Sequence, residues 1–225
     1  MKIAVISDIH SNLEALLSVI RKIEEEKVDR IYCLGDIVGY GPNPNECIEL
    51  IKSVSDKVVL GNHDSAVLGY TSTALFNEYA KNATVWTRKN LSAENLDYLE
   101  SLPIAIRENN LLFVHSTPYE PEKWNYILST KSAADSFDYF EEDVCFIGHS
   151  HRNEVFRNGD GRLIINAGSV GQPRDGNPRA CFCVFDTLIF EFKFFRVTYD
   201  IKSVYLKIKN SELDDFLGER LLIGK

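Results

Sequence analysis

The sequence predicts an α/β protein that opens with strand–helix units on a largely parallel sheet and becomes strand-rich after residue 151. Three observations carry that reading. An apolar run from Ile3 to Ile6 is followed by Leu13, Leu16, Leu17, Ile20 and Ile23 at helical spacing. The same strand-then-helix pattern returns with Ile31 to Leu34 and then Cys47, Ile48, Leu50 and Ile51. Beyond His151 come short apolar segments, Glu154 to Phe156, Arg162 to Ile165, Ala180 to Phe185 and Ile189 to Val197, with a turn at Asn158-Gly159-Asp160-Gly161.

Each element has a local cause. Asn12 caps the first helix, or reaches towards a phosphate, and Glu24 to Glu26 is that helix's solvated end. Asn43 caps the second helix with Pro44 at its first position. A third strand, Val58 to Leu60, follows, and strands alternating with helices at this spacing imply right-handed crossovers. From about Ser65 to Pro103 the pattern is helical, around Phe76 to Lys89 and Ser92 to Leu102, with Ser92 as cap and Pro103 as stop. This reads as a helical insertion, about 65–103. Leu111 to Val114 and Val144 to Ile147 are further strands, and Ile201 to Leu222 is expected to be helical.

The whole chain, 1–225, is expected to be one domain, because polar motifs running from Asp8 to His151 meet only if that span folds as a unit. A hydrophobic fraction of 44% and a charged fraction of 26% suit a globular protein. A formal net charge of −8 disfavours binding along duplex nucleic acid. No apolar run approaches membrane-spanning length, and the N-terminus lacks a signal-peptide pattern. Five cysteines give no disulfide framework, Cys181 and Cys183 reading as two same-face strand residues, so a cytoplasmic location is expected.

All five histidines lie in short polar motifs just past apolar runs: Asp8-Ile9-His10, Gly61-Asn62-His63-Asp64, Val114-His115-Ser116 and Gly148-His149-Ser150-His151, with Gly35-Asp36 beside them. In an open α/β sheet, ligands bind at the carboxyl ends of strands, which is where Asp8, Asp36, Asn62, His115 and His149 fall. Gly35, Gly61 and Gly148 precede three of them, where a missing Cβ would allow a tight turn and close approach to a metal or phosphate. His149 and His151, two apart in extended chain, would project to one side. Carboxylate and amide oxygens mixed with imidazole favour Mn²⁺, Fe²⁺ or Zn²⁺, and the absence of cysteine weighs against structural zinc. Two such ions would activate a water and clamp a phosphoryl group, with a non-ligating histidine serving the leaving oxygen.

These motifs resemble those of the calcineurin-like metallophosphoesterase superfamily: Asp-x-His, Gly-Asp, Gly-Asn-His-Asp/Glu, a lone His, and Gly-His-x-His. The blocks occur in order over residues 8 to 151, and resemblance to its small prokaryotic phosphodiesterase branch continues through Asn166 to Arg174. The resemblance implies a four-layer α/β/β/α sandwich. It implies that Asp8, His10 and His151 bind one metal and Asn62, His115 and His149 the other, with Asp36 bridging. His63 resembles the catalytic, non-ligating histidine, with Asp64 either orienting its ring or capping the next segment. Ser11 stands where many relatives have glycine, and Ala167 where they have proline. The Ser/Thr phosphatase branch carries phosphate-clamping arginines where this chain has Val38-Gly39-Tyr40 and Leu60, which favours a diester or small nucleotide.

The expected activity is therefore a dinuclear metal-dependent phosphoesterase, a phosphodiesterase in which metal-bound hydroxide attacks phosphorus. Two divalent ions are implied, Mn²⁺ first, with Fe²⁺, Zn²⁺, Ni²⁺ and Mg²⁺ as alternatives. Asn62, His63 and Arg174 are the expected substrate contacts, although a surface salt bridge would equally explain Arg174. Tyr119, Trp124 and Tyr126 offer either a base-stacking wall or loop packing. A phosphomonoesterase or protein phosphatase on the same centre, and a metal-binding scaffold without turnover, are the competing readings.

Overall fold

The structure, a computed structural model, describes all residues 1–225. Two five-stranded sheets form its frame. The first runs in the order β10-β9-β1-β2-β3, where β1 is Lys2–Ile6, β2 Arg30–Cys33, β3 Lys57–Val58, β9 Ala180–Asp186 and β10 Glu191–Val197. The second runs β4-β5-β6-β8-β7, with β4 at Ala105–Glu108, β5 Leu111–Val114, β6 Val144–Ile147, β7 Asn153–Arg157 and β8 Leu163–Ala167. Each sheet has three mutually parallel strands extended by antiparallel pairing. The late strands are thus divided between the sheets, rather than forming one strand-rich half.

The two-residue period of β1 shows how the layers arise. Ile3 and Val5 face the second sheet and share a core with Tyr32, Leu34, Phe113, Phe146, Ile165 and Phe185. Ala4 and Ile6 face the other way, against Leu16, Val19 and Ile23 of α1 (Leu13–Glu26) and Cys47, Ile48 and Ile51 of α2 (Pro44–Val54). On the far side of the second sheet, Leu112, Cys145 and Ile164 pack under Ala133 and Phe137, in and just after α6 (Thr130–Ser136). The cores therefore fall in the order helices, sheet, sheet, helix. Within the central core, Tyr32 stacks on Phe113 at 3.9 Å between centroids and Phe113 on Phe146 at 5.2 Å.

Several elements depart from the sequence reading. β3 is only two residues long, and β4 was not expected at all: Asn109 and Asn110, at φ of 53° and 61°, make the tight turn that joins it to β5. α3 (Asn62–Leu68) begins inside a motif read as a loop. In the insertion, α4 (Glu78–Asn90) and α5 (Ala93–Glu100) fall at the expected helical patches, and Ser92 caps α5. The C-terminal run breaks into α7 (Ile201–Lys209) and α8 (Asp215–Glu219), each opened by an aspartate cap. All five cysteines are buried and free, and no helix is long and apolar enough to cross a membrane.

Candidate metal centre

Both sheets contribute to one rim. Asp8 and His10 follow β1, Asp36 follows β2, Asn62 and His63 open α3 after β3, His115 follows β5, and His149 and His151 follow β6. The candidate ligands are all buried, with at most 5% of their surface exposed. The chain reaches these positions through backbone that most residues avoid. Asp8, His10, Ser11, Asp36, Tyr40, His149 and His151 adopt left-handed conformations, φ between 49° and 65°, at a cost of roughly 1–3 kcal/mol each. Ser11 lies in this set, at a φ of 53° that glycine adopts without strain.

The strained loops hold one another. Asp8 N donates to Gly35 O (3.1 Å), His10 N to Asp36 O (2.9 Å) and Gly171 N to Asp8 O (2.9 Å). The motif glycines make room for neighbouring loops, and Gly35 takes a left-handed turn at φ 85°. A Cβ on Gly61 would collide with the backbone nitrogen and carboxylate of Asp36, and one on Gly148 with Ser7 and Asp8.

Ring orientation follows a single rule. His10 Nδ1 pairs with Val38 O at 3.1 Å, His115 Nδ1 with Leu34 O at 2.8 Å and His151 Nδ1 with Gln172 O at 2.6 Å. A carbonyl only accepts, so each Nδ1 carries the proton and each Nε2 faces inward. His149 is reversed: Nε2 donates to Trp124 O at 2.9 Å and Nδ1 faces inward. The inward nitrogens of His10 and His151 lie 3.1 Å apart and those of His115 and His149 3.2 Å apart, with Asn62 Oδ1 3.0 Å from His115 Nε2. The lone pairs of His10 and His151, two rings that burial keeps neutral, repel at that distance unless a cation sits between them.

The carboxylates complete this arrangement. Asp8 Oδ2 accepts from His149 N and Asp36 Oδ1 from His63 N, leaving Asp8 Oδ1 and Asp36 Oδ2 buried without a hydrogen-bond donor. Asp8 Oδ1 lies 3.2 Å from His151 Nε2, while Asp36 Oδ2 lies 3.6 Å from His10 Nε2 and 3.4 Å from His115 Nε2. Two groups able to hold an ion result, Asp8, His10, Asp36 and His151, and Asp36, His115 and His149. Burial raises the Asp8 carboxyl to about 6, against the opposing pull of His115. Burial pushes the Asp36 carboxyl up as well, but His115, His63 and His10 outweigh it and hold the group below the usual carboxylate range. Burial would lower His115, but Asp36 outweighs it and raises the ring to about 9, while burial lowers His10, His149 and His151. Orphaned carboxylate oxygens facing imidazole nitrogens are a donor set suited to divalent cations.

His63 is turned differently. Its Nδ1 is buried without a partner, against Gly39, where a Cβ would crowd the ring, so Nε2 is the nitrogen left open. The ring lies 5.0 Å from His10, and burial lowers its pKa to about 4 although Asp36 pulls the other way. Asp64 makes no hydrogen bond to it. The Asp64 carboxylate accepts from Gly61 N, Ile37 N and Val38 N instead, which corrects the ring-orienting expectation in favour of a cap that ties two loops together.

Asn12 is likewise a cap, accepting from Ala15 N and donating to Gly171 O. Arg174 is half-buried and bonded to Gln172 Oε1 rather than to a carboxylate. Tyr126 stacks on His149 at 3.9 Å, Trp124 meets His115 edge-on, and Tyr119 packs away on Tyr139. From the sequence Tyr40 stands only in place of a phosphate-clamping arginine; its ring lies 4.8 Å from His10 and 4.5 Å from His63, contacts for which the flanking Gly39 and Gly41 were the available signal.

Buried imidazoles and carboxylates form two groups that share one aspartate and could each hold a metal ion, set on strained loops at strand ends. The chain belongs to the calcineurin-like phosphoesterase superfamily, whose domain profile matches residues 1–188. It is 45% identical over 241 residues to the uncharacterized protein MJ0912 of Methanocaldococcus jannaschii, covering 99% of this chain and 98% of that protein. A metallophosphoesterase structure from Sphaerobacter thermophilus superposes with a TM-score of 0.88 at 39% identity, covering 100% of this chain and 99% of the other. The symmetrical bis(5'-nucleosyl)-tetraphosphatase of Chromohalobacter salexigens is 29% identical over 128 residues, 56% of this chain and 46% of that protein, so the match spans about half the relative's length.

Proposed function

We propose that the chain is a dinuclear metal-dependent phosphodiesterase of the cytoplasm, acting as one domain on a small phosphodiester or nucleotide. Asp36 carries the reading, because its unpartnered Oδ2 belongs to both potential ligand groups. Asp8, His10 and His151 would hold one divalent ion, and Asn62, His115 and His149 the other. Bound there, the ions supply a nucleophilic water at neutral pH and neutralise phosphoryl charge. Mn²⁺ suits a set that mixes carboxylate and amide oxygens with imidazole and contains no thiolate.

The chain's own contribution is preorganisation. Backbone carbonyls fix the four ligand rings before substrate arrives, so little reorganisation is left for the reaction. His63 presents Nε2 to the leaving oxygen and supplies it with a proton or a hydrogen bond. Asp64 positions that histidine indirectly, by fixing the loop from Gly61 to Val38. Beside His149, a groove of about 270 Å³ lined by Tyr126, Leu128, Ser150, Arg152 and Arg174 suits the organic part of a nucleotide. The relative named as acting on bis(5'-nucleosyl) tetraphosphates supports a nucleotide substrate.

The test is hydrolysis of bis(p-nitrophenyl) phosphate against p-nitrophenyl phosphate after reconstitution with Mn²⁺, Zn²⁺, Fe²⁺ or Mg²⁺. Faster diester turnover is expected. A preference for the monoester would make the protein a phosphomonoesterase, and metal binding with no turnover on either ester would leave a scaffold.

A further inference from the structure

Four arginines of the chain are half-buried: Arg162, Arg174, Arg196 and Arg220. Two of them are paired in the usual way, Arg162 with Asp160 and Arg196 with Asp175. The other two have no aspartate or glutamate partner. Arg174 is held by Gln172 Oε1, and Arg220 uses Nε on the Lys225 carbonyl oxygen, leaving its Nη groups unengaged. Both guanidinium groups converge on Tyr40, with Cζ atoms 5.7 Å and 5.9 Å from the ring centroid. Tyr40 in turn touches His10 and His63. Two like charges have thus been gathered beside the metal centre with no aspartate or glutamate between them. Burial, and then Arg174, lower the Arg220 pKa to about 10, still far above neutrality, so the charge persists.

Arg220 lies beyond the residues matched by the family profile. It is carried there by the C-terminal segment, whose Val204, Ile208, Leu217 and Leu221 pack with Tyr40 in one apolar cluster. The geometry points to a second anion subsite: Arg220 and Arg174, with Cζ atoms 5.9 Å and 5.7 Å from the Tyr40 ring centroid, take a phosphate adjacent to the one undergoing hydrolysis. This rests on the phosphoesterase reading and narrows it to nucleotides that carry a phosphate chain. A guanidinium fork matches phosphate oxygens bidentately, which a simple aryl diester cannot exploit.

The test is binding of AMP and of the β,γ-imido analogue of ATP to Mn²⁺-loaded protein, with Arg220→Gln and Arg220→Lys. The glutamine variant is expected to weaken the triphosphate analogue by about tenfold to a hundredfold and to change AMP by less than about twofold. The lysine variant keeps the charge and the packing stem but loses the fork, and should show a smaller loss of the same selectivity. It carries the test alone if the glutamine variant does not fold. In kinetics, KM for diadenosine tetraphosphate should rise while turnover of bis(p-nitrophenyl) phosphate is unchanged. Equal weakening of both ligands would make Arg220 a structural prop for Tyr40, and no weakening of either would remove the subsite. If wild-type protein hydrolyses no ester yet shows the selective binding loss, the catalytic reading fails and the subsite stands.

Discussion

Between the sheets, Tyr32, Phe113 and Phe146 stack ring on ring and Phe185 meets Phe146 edge-on, all fully buried. A few residues further along the same layers, Asp8, Asp36, His115 and His149 are buried to nearly the same extent, yet they meet as unsatisfied oxygens, closely set imidazole nitrogens and left-handed backbone. The first region closes its own account of contacts; the second is complementary to something the chain does not contain. Burial alone therefore does not separate a stabilising core from a functional one. What separates them is whether the buried groups satisfy each other.

The sharpest way to break this contrast is Asp36→Asn. Turnover should fall by more than the roughly 100-fold typical of losing an outer metal partner, with metal content reduced by elemental analysis. Thermal melting of the metal-free variant should be no lower than that of wild type, since a buried charge has been removed. A clear loss of stability would mean the rim is a structural element after all. His63→Ala should lower kcat by about 10²–10⁴-fold with metal content retained, and loss of metal in that variant would make His63 a ligand. Phe146→Ala is the converse experiment: about 3–5 kcal/mol of stability lost in denaturant titration, with unchanged metal per folded molecule. The smallest effect is expected from Ser11→Gly. It relieves a left-handed φ of 53° and removes a buried hydroxyl without a partner, so stability should rise by about 1 kcal/mol. A decrease would argue against strain in the rim.

Much of this contrast was legible from local pattern. Strands β5 and β6 fell where continuous apolar runs placed them, and the polar motifs at strand ends did converge, because an apolar run fixes where a strand stops. Strand β4 was missed because it is an edge strand whose Arg107 and Glu108 read as solvated chain. α3 was missed because its buried residues, Asn62, His63, Asp64 and Ser65, are polar and show no hydrophobic period. Least legible was who closes the site. Nothing local to Tyr40 announces that Leu217 and Arg220 will pack against it, and nothing in β9 says that it will join β1 rather than its nearer neighbours. Pairings between distant segments are decided by tertiary fit, not by spacing.

The pairing of Ala4 with Val184 has a consequence in time. During synthesis β1 and β2 can meet early, but the loop carrying Asp8 receives its backbone donors from Val170 and Gly171, and β1 its second neighbour from β9, only when most of the chain has left the ribosome. Contacts of such long sequence separation form late. The centre is consequently among the last parts of the molecule to be completed, its side chains scattered along the chain until the last-made strands have joined the sheet.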